Sequence, residues 1–119
     1  MNPLRLLRIA AFVVLASMIA VTVWASSQVA LWKVPREVTA HPWFIATLFD
    51  TYFGFLAFWA WVAYKERTVT ARAGWLVAIF LLGNIAMAGY MLLRLRRLPA
   101  GARVEDLLLR EPEPPRTDA

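Results

Sequence analysis

One acidic side chain, Asp50, stands inside a long apolar stretch, and its type and position could support chemistry. The stretch runs from Trp43 to Tyr64 and contains no other charged residue. An ionised carboxylate inside a bilayer costs at least about 2.5–3.5 kcal/mol, so it must face a partner or water, or be protonated. Asp50 is therefore either a relay for a proton or cation, or a group that holds helices together by hydrogen bonding.

Three other polar residues accompany Asp50 as candidate functional residues. If the second and third apolar stretches form a hairpin, Asn84 lies about one helical turn from Asp50 along the axis, and its amide can donate to the carboxylate. Thr47 precedes Asp50 by three residues and shares its helical face. His41 is the single histidine. It could sense pH, although a helix start at headgroup level is the commoner explanation for such a residue.

The chain lacks the residue sets that most catalytic and metal sites need. It has no cysteine and one histidine, which excludes disulfides, thiol nucleophiles and thiolate metal sites, and leaves too few ligands for zinc. No Ser/His/Asp arrangement, no pair of acids in the apolar stretches and no glycine-rich phosphate loop occurs. We therefore predict a protein that is not an enzyme, with no catalytic, cofactor-binding or metal-binding residue.

The elements around these residues are predicted to be membrane helices. Hydrophobic residues make up 61% of the 119 positions, above the usual 45–50% of soluble domains. We predict an all-α fold with three transmembrane helices in an antiparallel bundle, a short C-terminal surface helix and a disordered tail. The segments are a basic N-terminal segment at 1–8, transmembrane helices at 9–32, 43–64 and 73–97 (the last with a basic end), loops at 33–42 and 65–72, a juxtamembrane segment at 98–110 and the tail at 111–119.

The basic residues flank the apolar runs, which indicates membrane anchoring rather than nucleic-acid binding. Three spans would place the two termini on opposite sides of the membrane. They would also divide the bases almost evenly, five against six, so the positive-inside rule assigns no orientation. A cleaved signal peptide is the alternative for the first span, since Arg5 and Arg8 precede an apolar stretch. The aromatic end at Trp32 favours a retained span.

Small residues on the second predicted span form one stripe with Asp50. Thr47, Gly54 and Ala57 belong to it, and small residues let membrane helices approach closely. We therefore expect this stripe to pack inward. The bulkier opposite side is expected to face lipid, with Leu48, Tyr52, Phe55, Trp59 and Val62.

Several segments together resemble a family of small bacterial integral membrane proteins that is also seen in plants. They are residues 41–44, 46–55, 61–66, 82–87 and 104–109. The resemblance covers most of the chain from about residue 20 to 110. The family is an uncharacterised domain of unknown function, so the resemblance implies a membrane location and a shared fold but no catalytic residue.

These observations lead to one expected function and one alternative. We expect an integral membrane protein of unknown biochemical role, a non-enzymatic accessory or structural subunit. The alternative is a small transporter or proton- or cation-handling protein that uses Asp50 with Asn84. The expected partners are the lipid bilayer and a second copy or a larger membrane protein, without nucleic acid. From the resemblance, we expect a multi-pass protein of the bacterial inner membrane.

Overall fold

The computed structural model describes residues 2–112, and every regular element within that range is helical. The prediction of an all-α fold is confirmed for this part of the chain. Residues 113–119, most of the predicted tail, lie outside the described range. The elements are α1 (Pro3–Gln28), a 3₁₀ turn (Leu31–Lys33), α2 (Arg36–Thr39), α3 (Pro42–Lys65), α4 (Val69–Leu82), α5 (Asn84–Arg97) and α6 (Val104–Leu108).

The two longest helices, α1 and α3, begin with the same arrangement, a capping side chain followed by a proline. The side chain of Asn2 accepts a hydrogen bond from the Leu4 amide at 3.0 Å, and Pro3 occupies the first turn. At α3, His41 accepts from the Trp43 amide at 3.2 Å, and Pro42 follows it. Each cap satisfies an amide that has no partner inside the helix, and proline has no amide to satisfy.

Both long helices have the length and composition that a membrane crossing requires. With 26 and 24 residues, α1 and α3 rise about 39 and 36 Å, against a hydrocarbon core of roughly 30 Å. Only 6% and 11% of their most apolar windows are buried within the chain. A core helix of a soluble protein would instead be mostly buried.

The third predicted span is not one helix, because the chain breaks at Gly83. The prediction of a continuous helix over 73–97 is corrected to two helices of 14 residues, α4 and α5. Each rises about 21 Å, which is too short to cross a bilayer. Gly83 has φ 58° and ψ −127°, a conformation that residues other than glycine rarely adopt.

The chain reverses direction at this break. The rings of Trp75 on α4 and Tyr90 on α5 lie 4.8 Å apart, whereas fifteen residues of continuous helix would separate them by about 22 Å. Farther along α5, the guanidinium of Arg94 donates to Glu66, just past the end of α3. Helices α4 and α5 therefore form a helical hairpin that returns to where α4 began.

The hairpin turn fits against α3 because Gly83 has no side chain. A Cβ atom at this position would lie 2.8 Å from the Cζ atom of Phe55. Elsewhere along α4, the hydroxyl of Tyr52 donates to the carbonyl of Phe80 at 3.2 Å. The turn and α4 are thereby held against the middle of α3.

Because α5 returns, both ends of the described chain lie at one end of the molecule. Leu4 of α1, Leu95 of α5 and Leu107 of α6 form one buried cluster. Arg8 donates to the carbonyl of Leu95 at 3.5 Å. We call this the basic end, and the opposite end, with the 3₁₀ turn and α2, the distal end. The expectation that the termini lie on opposite sides of a membrane required a third long helix, which residues 2–112 do not contain.

The face of α3 that packs inward is also corrected. Phe55 and Val62, expected to face lipid, are buried in the main hydrophobic cluster with Ile79 and Tyr90. Gly54, in the small-residue stripe, is exposed. Leu48 and Tyr52 of the same face are exposed, as expected, so only the part of this face that meets α4 and α5 is buried.

Candidate functional site

The structure does not bring Asp50 and Asn84 together by a hydrogen bond. Both side chains are exposed, Asp50 on α3 and Asn84 at the start of α5. Within residues 2–112, neither side chain forms a hydrogen bond or ion pair. Gly83 lies against Phe55, so the hairpin tip, and Asn84 with it, stands close to the level of Asp50 along α3. The two polar groups lie at a similar level along α3, and neither has a hydrogen-bonding or ion-pair partner between residues 2 and 112.

The other two predicted residues have local structural roles. The hydroxyl of Thr47 donates to the carbonyl of Trp43 at 2.7 Å, four residues earlier in α3. This pattern satisfies a hydroxyl within its own helix. His41 caps α3 through Nδ1. The explanation of His41 as the start of a helix agrees with this geometry.

A polar network at the basic end is the most interconnected side-chain cluster in the described chain. Arg94 donates from Nη2 to Oε1 of Glu66 at 2.5 Å and from Nε to the hydroxyl of Tyr90 at 3.0 Å. The Tyr90 hydroxyl donates to the same Glu66 oxygen at 3.2 Å. These three side chains form a closed triangle that ties α5 to the α3–α4 connection.

Aromatic rings enclose this network on its inner side. Tyr90 is fully buried, and the rings of Trp75, Trp61 and Phe58 contact it edge to face at 4.8, 5.5 and 6.2 Å. The Arg94 side chain is 8% exposed and the Glu66 side chain 17%. Water is therefore largely excluded, which strengthens the interaction between the two charges.

The charge of Arg94 is maintained despite its burial. Burial alone would lower the pKa of Arg94, but the hydrogen bond and charge of Tyr90, together with those of Glu66, outweigh it and raise the pKa. The guanidinium therefore stays protonated and remains a donor to both partners. The charged guanidinium lies against the Glu66 carboxyl group and the Tyr90 hydroxyl.

The chain after α5 folds back across this end and covers the network. Lys65 donates to the carbonyl of Leu109 at 2.6 Å, and the indole of Trp61 donates to that of Leu108 at 3.0 Å. Arg67 donates to the carbonyl of Glu111, whose carboxylate accepts from Arg94 at 3.4 Å. We call residues 104–112 the C-terminal strap. It connects the last described residues to the end of α3.

The charged residues are distributed unevenly between the two ends. The basic end carries ten of the twelve Lys and Arg residues in the described range, and the distal end carries Lys33 and Arg36. The ten are Arg5, Arg8, Lys65, Arg67, Arg72, Arg94, Arg96, Arg97, Arg103 and Arg110. The even division that three spans would produce is absent because α5 returns its basic end to the same side.

Two open clefts flank the α5 end, and they differ in charge. One, of about 590 Å³, is lined by Arg94, Arg97 and Arg110 together with Glu105, Asp106 and Glu111. The other, of about 640 Å³, lies between the start of α1 and residues 98–102 and has arginines but no carboxylate in its lining. The first cleft is balanced in charge and the second is not.

These arrangements connect helices and line clefts at the basic end. No group of three or more potential metal ligands occurs between residues 2 and 112. Sequence reasoning missed Glu66 and Arg94 because both lie at the edges of apolar runs, where charges are expected to be solvated. The available signal was the spacing of Tyr90 and Arg94, which places them four residues apart on one helical face.

Comparison with known proteins agrees with the resemblance noted in the sequence. A family model described as "Protein of unknown function (DUF1475)" matches residues 4–111, which is nearly the whole chain. No curated protein and no solved structure matches it. The expectation of an uncharacterised family is confirmed, whereas occurrence in bacteria and plants stays a prediction. The chain belongs to the DUF1475 family of proteins of unknown function.

Proposed function

We propose that this chain is an integral membrane protein in which α1 and α3 cross the bilayer and the α4–α5 hairpin enters from one face. The supporting observation is the combination of length and exposure. Both long helices exceed the roughly 30 Å hydrocarbon core, and nearly all of their apolar surface is unburied. The two hairpin helices reach only about 21 Å.

The charge distribution supports one orientation. Ten bases at the basic end against two at the distal end is a large asymmetry, and the positive-inside rule places the more basic end in the cytoplasm. In a bacterial inner membrane, the described N-terminal and C-terminal ends would then both be cytoplasmic. Lys33, Arg36 and α2 would face the periplasm.

The packing of α1 supports a retained first helix over a cleaved signal peptide. Leu4 and Ala11 are buried, and Leu4 contributes to the cluster with Leu95 and Leu107. Removal of α1 would expose that cluster. A signal peptide has no such role in the mature fold.

Within the membrane, the chain serves as a non-enzymatic accessory or structural subunit. The observation that carries this proposal is the pair of unbonded polar side chains, Asp50 and Asn84, on the outer surface of apolar helices. A carboxylate facing acyl chains is unfavourable, so a second protein chain is needed to cover it. The partner is either a second copy or a larger membrane protein.

The topology is tested with two matched cysteine variants, since the chain has no native cysteine. Ala40 precedes α3 at the distal end, and Ala100 lies after α5 at the basic end, and both are exposed. In intact cells, a membrane-impermeant maleimide should label Ala40→Cys, and it should label Ala100→Cys only after permeabilisation. Equal labelling of both variants in intact cells would show that the third apolar stretch crosses the membrane.

The subunit role is tested by purification in mild detergent with mass spectrometry of co-purifying chains. Wild type should retain a stoichiometric partner or a second copy, and Asp50→Leu should lose it. Asp50→Asn keeps a hydrogen-bonding group and should retain it. Thr22→Leu, an equivalent change on exposed α1, serves as the control. A wild-type protein that is purified as a lone monomer would overturn the subunit role.

Proton or cation handling by Asp50 with Asn84 stays a prediction without a supporting observation. Neither residue lines either cleft at the α5 end. Flux measurements in liposomes, comparing wild type with Asp50→Asn, would distinguish it. A flux that Asp50→Asn abolishes while assembly is intact would favour transport over the subunit role.

A further inference from the structure

The cleft between α1 and residues 98–102 contains positive charge that no acid in the described range neutralises. Its polar side chains are Asn2, Arg5 and Arg8. Asn2 is occupied as the cap of α1. Arg8 makes one hydrogen bond, to the carbonyl of Leu95, and the guanidinium has five N–H donors in all. Arg5 makes no hydrogen bond or ion pair to any residue in the described range.

The neighbouring cleft shows that this charge is a specific feature and not a general property of the basic end. There, three arginines are matched by Glu105, Asp106 and Glu111. The cleft at α1 has no acid in its lining. Two guanidinium groups three residues apart on one helix lie side by side, so an anion between them would contact both.

We propose that this cleft binds the headgroup of an anionic phospholipid, with its phosphate between Arg5 and Arg8. The proposal rests on the membrane location argued above. Ten bases at this end attract the anionic lipids of a cytoplasmic leaflet, and basic pockets at such a surface accept lipid headgroups. A volume of about 640 Å³ lies within the usual range of ligand sites.

The apolar part of the lining selects a lipid over a free phosphate ion. Leu4, Ile9 and Leu98 line the cleft beside the arginines. Ile9 begins the uncharged run of α1, so the cleft lies where the polar start of the helix meets its apolar part. A glycerophospholipid has the same arrangement, with a phosphate next to acyl chains. A free phosphate ion would leave the apolar wall uncovered.

The turn at residues 98–102 shapes the outer wall of the cleft. The Ala102 amide donates to the carbonyl of Pro99 at 3.2 Å, and Gly101 has φ 81° in the third position of this turn. A glycine suits this position because the backbone needs a positive φ. The wall is thus compact backbone with small side chains, which leaves room for a headgroup.

The test measures lipid binding to the full purified chain in a nonionic detergent by native mass spectrometry. Dioctanoyl phosphatidylglycerol should bind the wild type, and dioctanoyl phosphatidylcholine should bind at least tenfold more weakly. Arg5→Gln with Arg8→Gln should weaken phosphatidylglycerol binding about 30-fold, because each base near anionic lipid contributes about fivefold. Arg5→Gln alone should weaken it about fivefold. Because Arg5 forms no hydrogen bond or ion pair within the described range and is exposed, we expect this variant to keep the fold.

A matched control separates the cleft from diffuse surface charge. Arg96→Gln with Arg97→Gln removes two charges from the same end, and neither residue lines this cleft. This control should bind phosphatidylglycerol within about twofold of wild type. An equal loss in the control, or equal binding of the two lipids, would overturn the proposal.

A third comparison distinguishes the lipid from a free ion. Inorganic phosphate and glycerol 3-phosphate should compete only weakly with phosphatidylglycerol. Competition at equal concentration would identify a free-phosphate site and reject the lipid headgroup. Since binding is measured in detergent, its outcome does not depend on the cysteine-labelling result. A wrong topology would therefore show in the cysteine labelling alone, and a wrong lipid site would show in the binding measurement alone.

Discussion

Replacement of Gly83 by alanine tests the hairpin turn directly. The residue has φ 58° and ψ −127°, and a Cβ atom there would lie 2.8 Å from Cζ of Phe55. Gly83 also ends α4 and begins α5, so no neighbouring residue can take over the reversal. We expect Gly83→Ala to destabilise the fold and to disturb the packing of α5 on α1.

Two effects determine how much Gly83→Ala lowers the free energy of unfolding. A non-glycine residue in this backbone region costs about 1–3 kcal/mol. Moving the Phe55 ring away from its rotamer costs about 0.5–1.5 kcal/mol more. Tyr52 contacts that ring edge to face at 5.2 Å, so the ring has little free space. We therefore expect the free energy of unfolding to fall by about 2–4 kcal/mol.

Gly74 and Gly89 provide matched controls because both lie inside helices. A Cβ atom at either position has nothing within 4 Å. Alanine is a better helix former than glycine by about 0.5–1 kcal/mol, so Gly74→Ala and Gly89→Ala should raise stability. Replacement of glycine by alanine should thus lower the free energy of unfolding at the turn and raise it inside the helices.

The assay is reversible unfolding in mixed detergent and dodecyl sulfate, followed by tryptophan fluorescence. Gly83→Ala should unfold at a lower dodecyl sulfate fraction than wild type, and the two control variants at a higher one. In a double-mutant cycle with Phe55→Leu, the smaller side chain should recover the steric part of the loss but not the backbone part. If Gly83→Ala were as stable as wild type, the proposed turn geometry would be refuted.

Three further substitutions test the basic end by the same unfolding measurement. Arg94→Met should lower the free energy of unfolding by about 2–4 kcal/mol, since it leaves the largely buried Glu66 carboxylate unpaired. The double variant with Glu66→Gln should recover part of this loss. If it recovers none, the two side chains do not stabilise the fold as a pair. Tyr90→Phe should lower the free energy of unfolding by about 1–2 kcal/mol, because the Tyr90 hydroxyl forms hydrogen bonds with both Glu66 and Arg94. An unchanged stability would show that these hydrogen bonds contribute nothing. Leu107→Ala should lower the free energy of unfolding by about 2–3 kcal/mol, because it leaves a cavity beside Leu4 and Leu95. A smaller loss would mean that the C-terminal strap does not unfold together with the rest of the chain.

The basic end contains both a largely buried polar network and an exposed charged surface. The triangle of Glu66, Tyr90 and Arg94 is closed and largely buried, so its charges pair with one another and stabilise the fold. The arginines at the start of α1 are open and unmatched. The same type of residue thus stabilises the hairpin in one place, and in the other it lines the cleft that we propose binds a lipid headgroup.

Several features could be predicted from local sequence alone. The start of α3 follows from His41 before Pro42, and its length follows from the apolar stretch 43–64, whereas α1 runs from Pro3 to Gln28 and so begins and ends before the predicted span 9–32. The sequence predicts a charged loop over 65–72, and the structure has a shorter connection there, residues 66–68 between α3 and α4. Each of these features depends on residues within a few positions of one another. The family assignment also followed from local motifs.

The break at Gly83 could not be predicted because glycines are common in membrane helices. Residues 73 to 93 are uncharged, and hydropathy does not distinguish a straight helix from two short ones that reverse. The Phe55 ring is what occupies the space beside the turn, and it lies on another helix. The prediction that Asn84 lies near the level of Asp50 depends only on the hairpin of α3 and α4, which continues to Leu82. A hydrogen bond between the two side chains does not form within the described residues.

The sequence by itself determined an all-helical, apolar chain with two long helices, because composition and capping act over short distances. Tertiary structure decided that the third apolar run forms a hairpin, which face of α3 is buried, and that ten bases meet at one end. It also decided that Glu66 and Arg94 pair across 28 positions. The physical reason is that burial and ion pairing depend on which surfaces meet after the chain reverses.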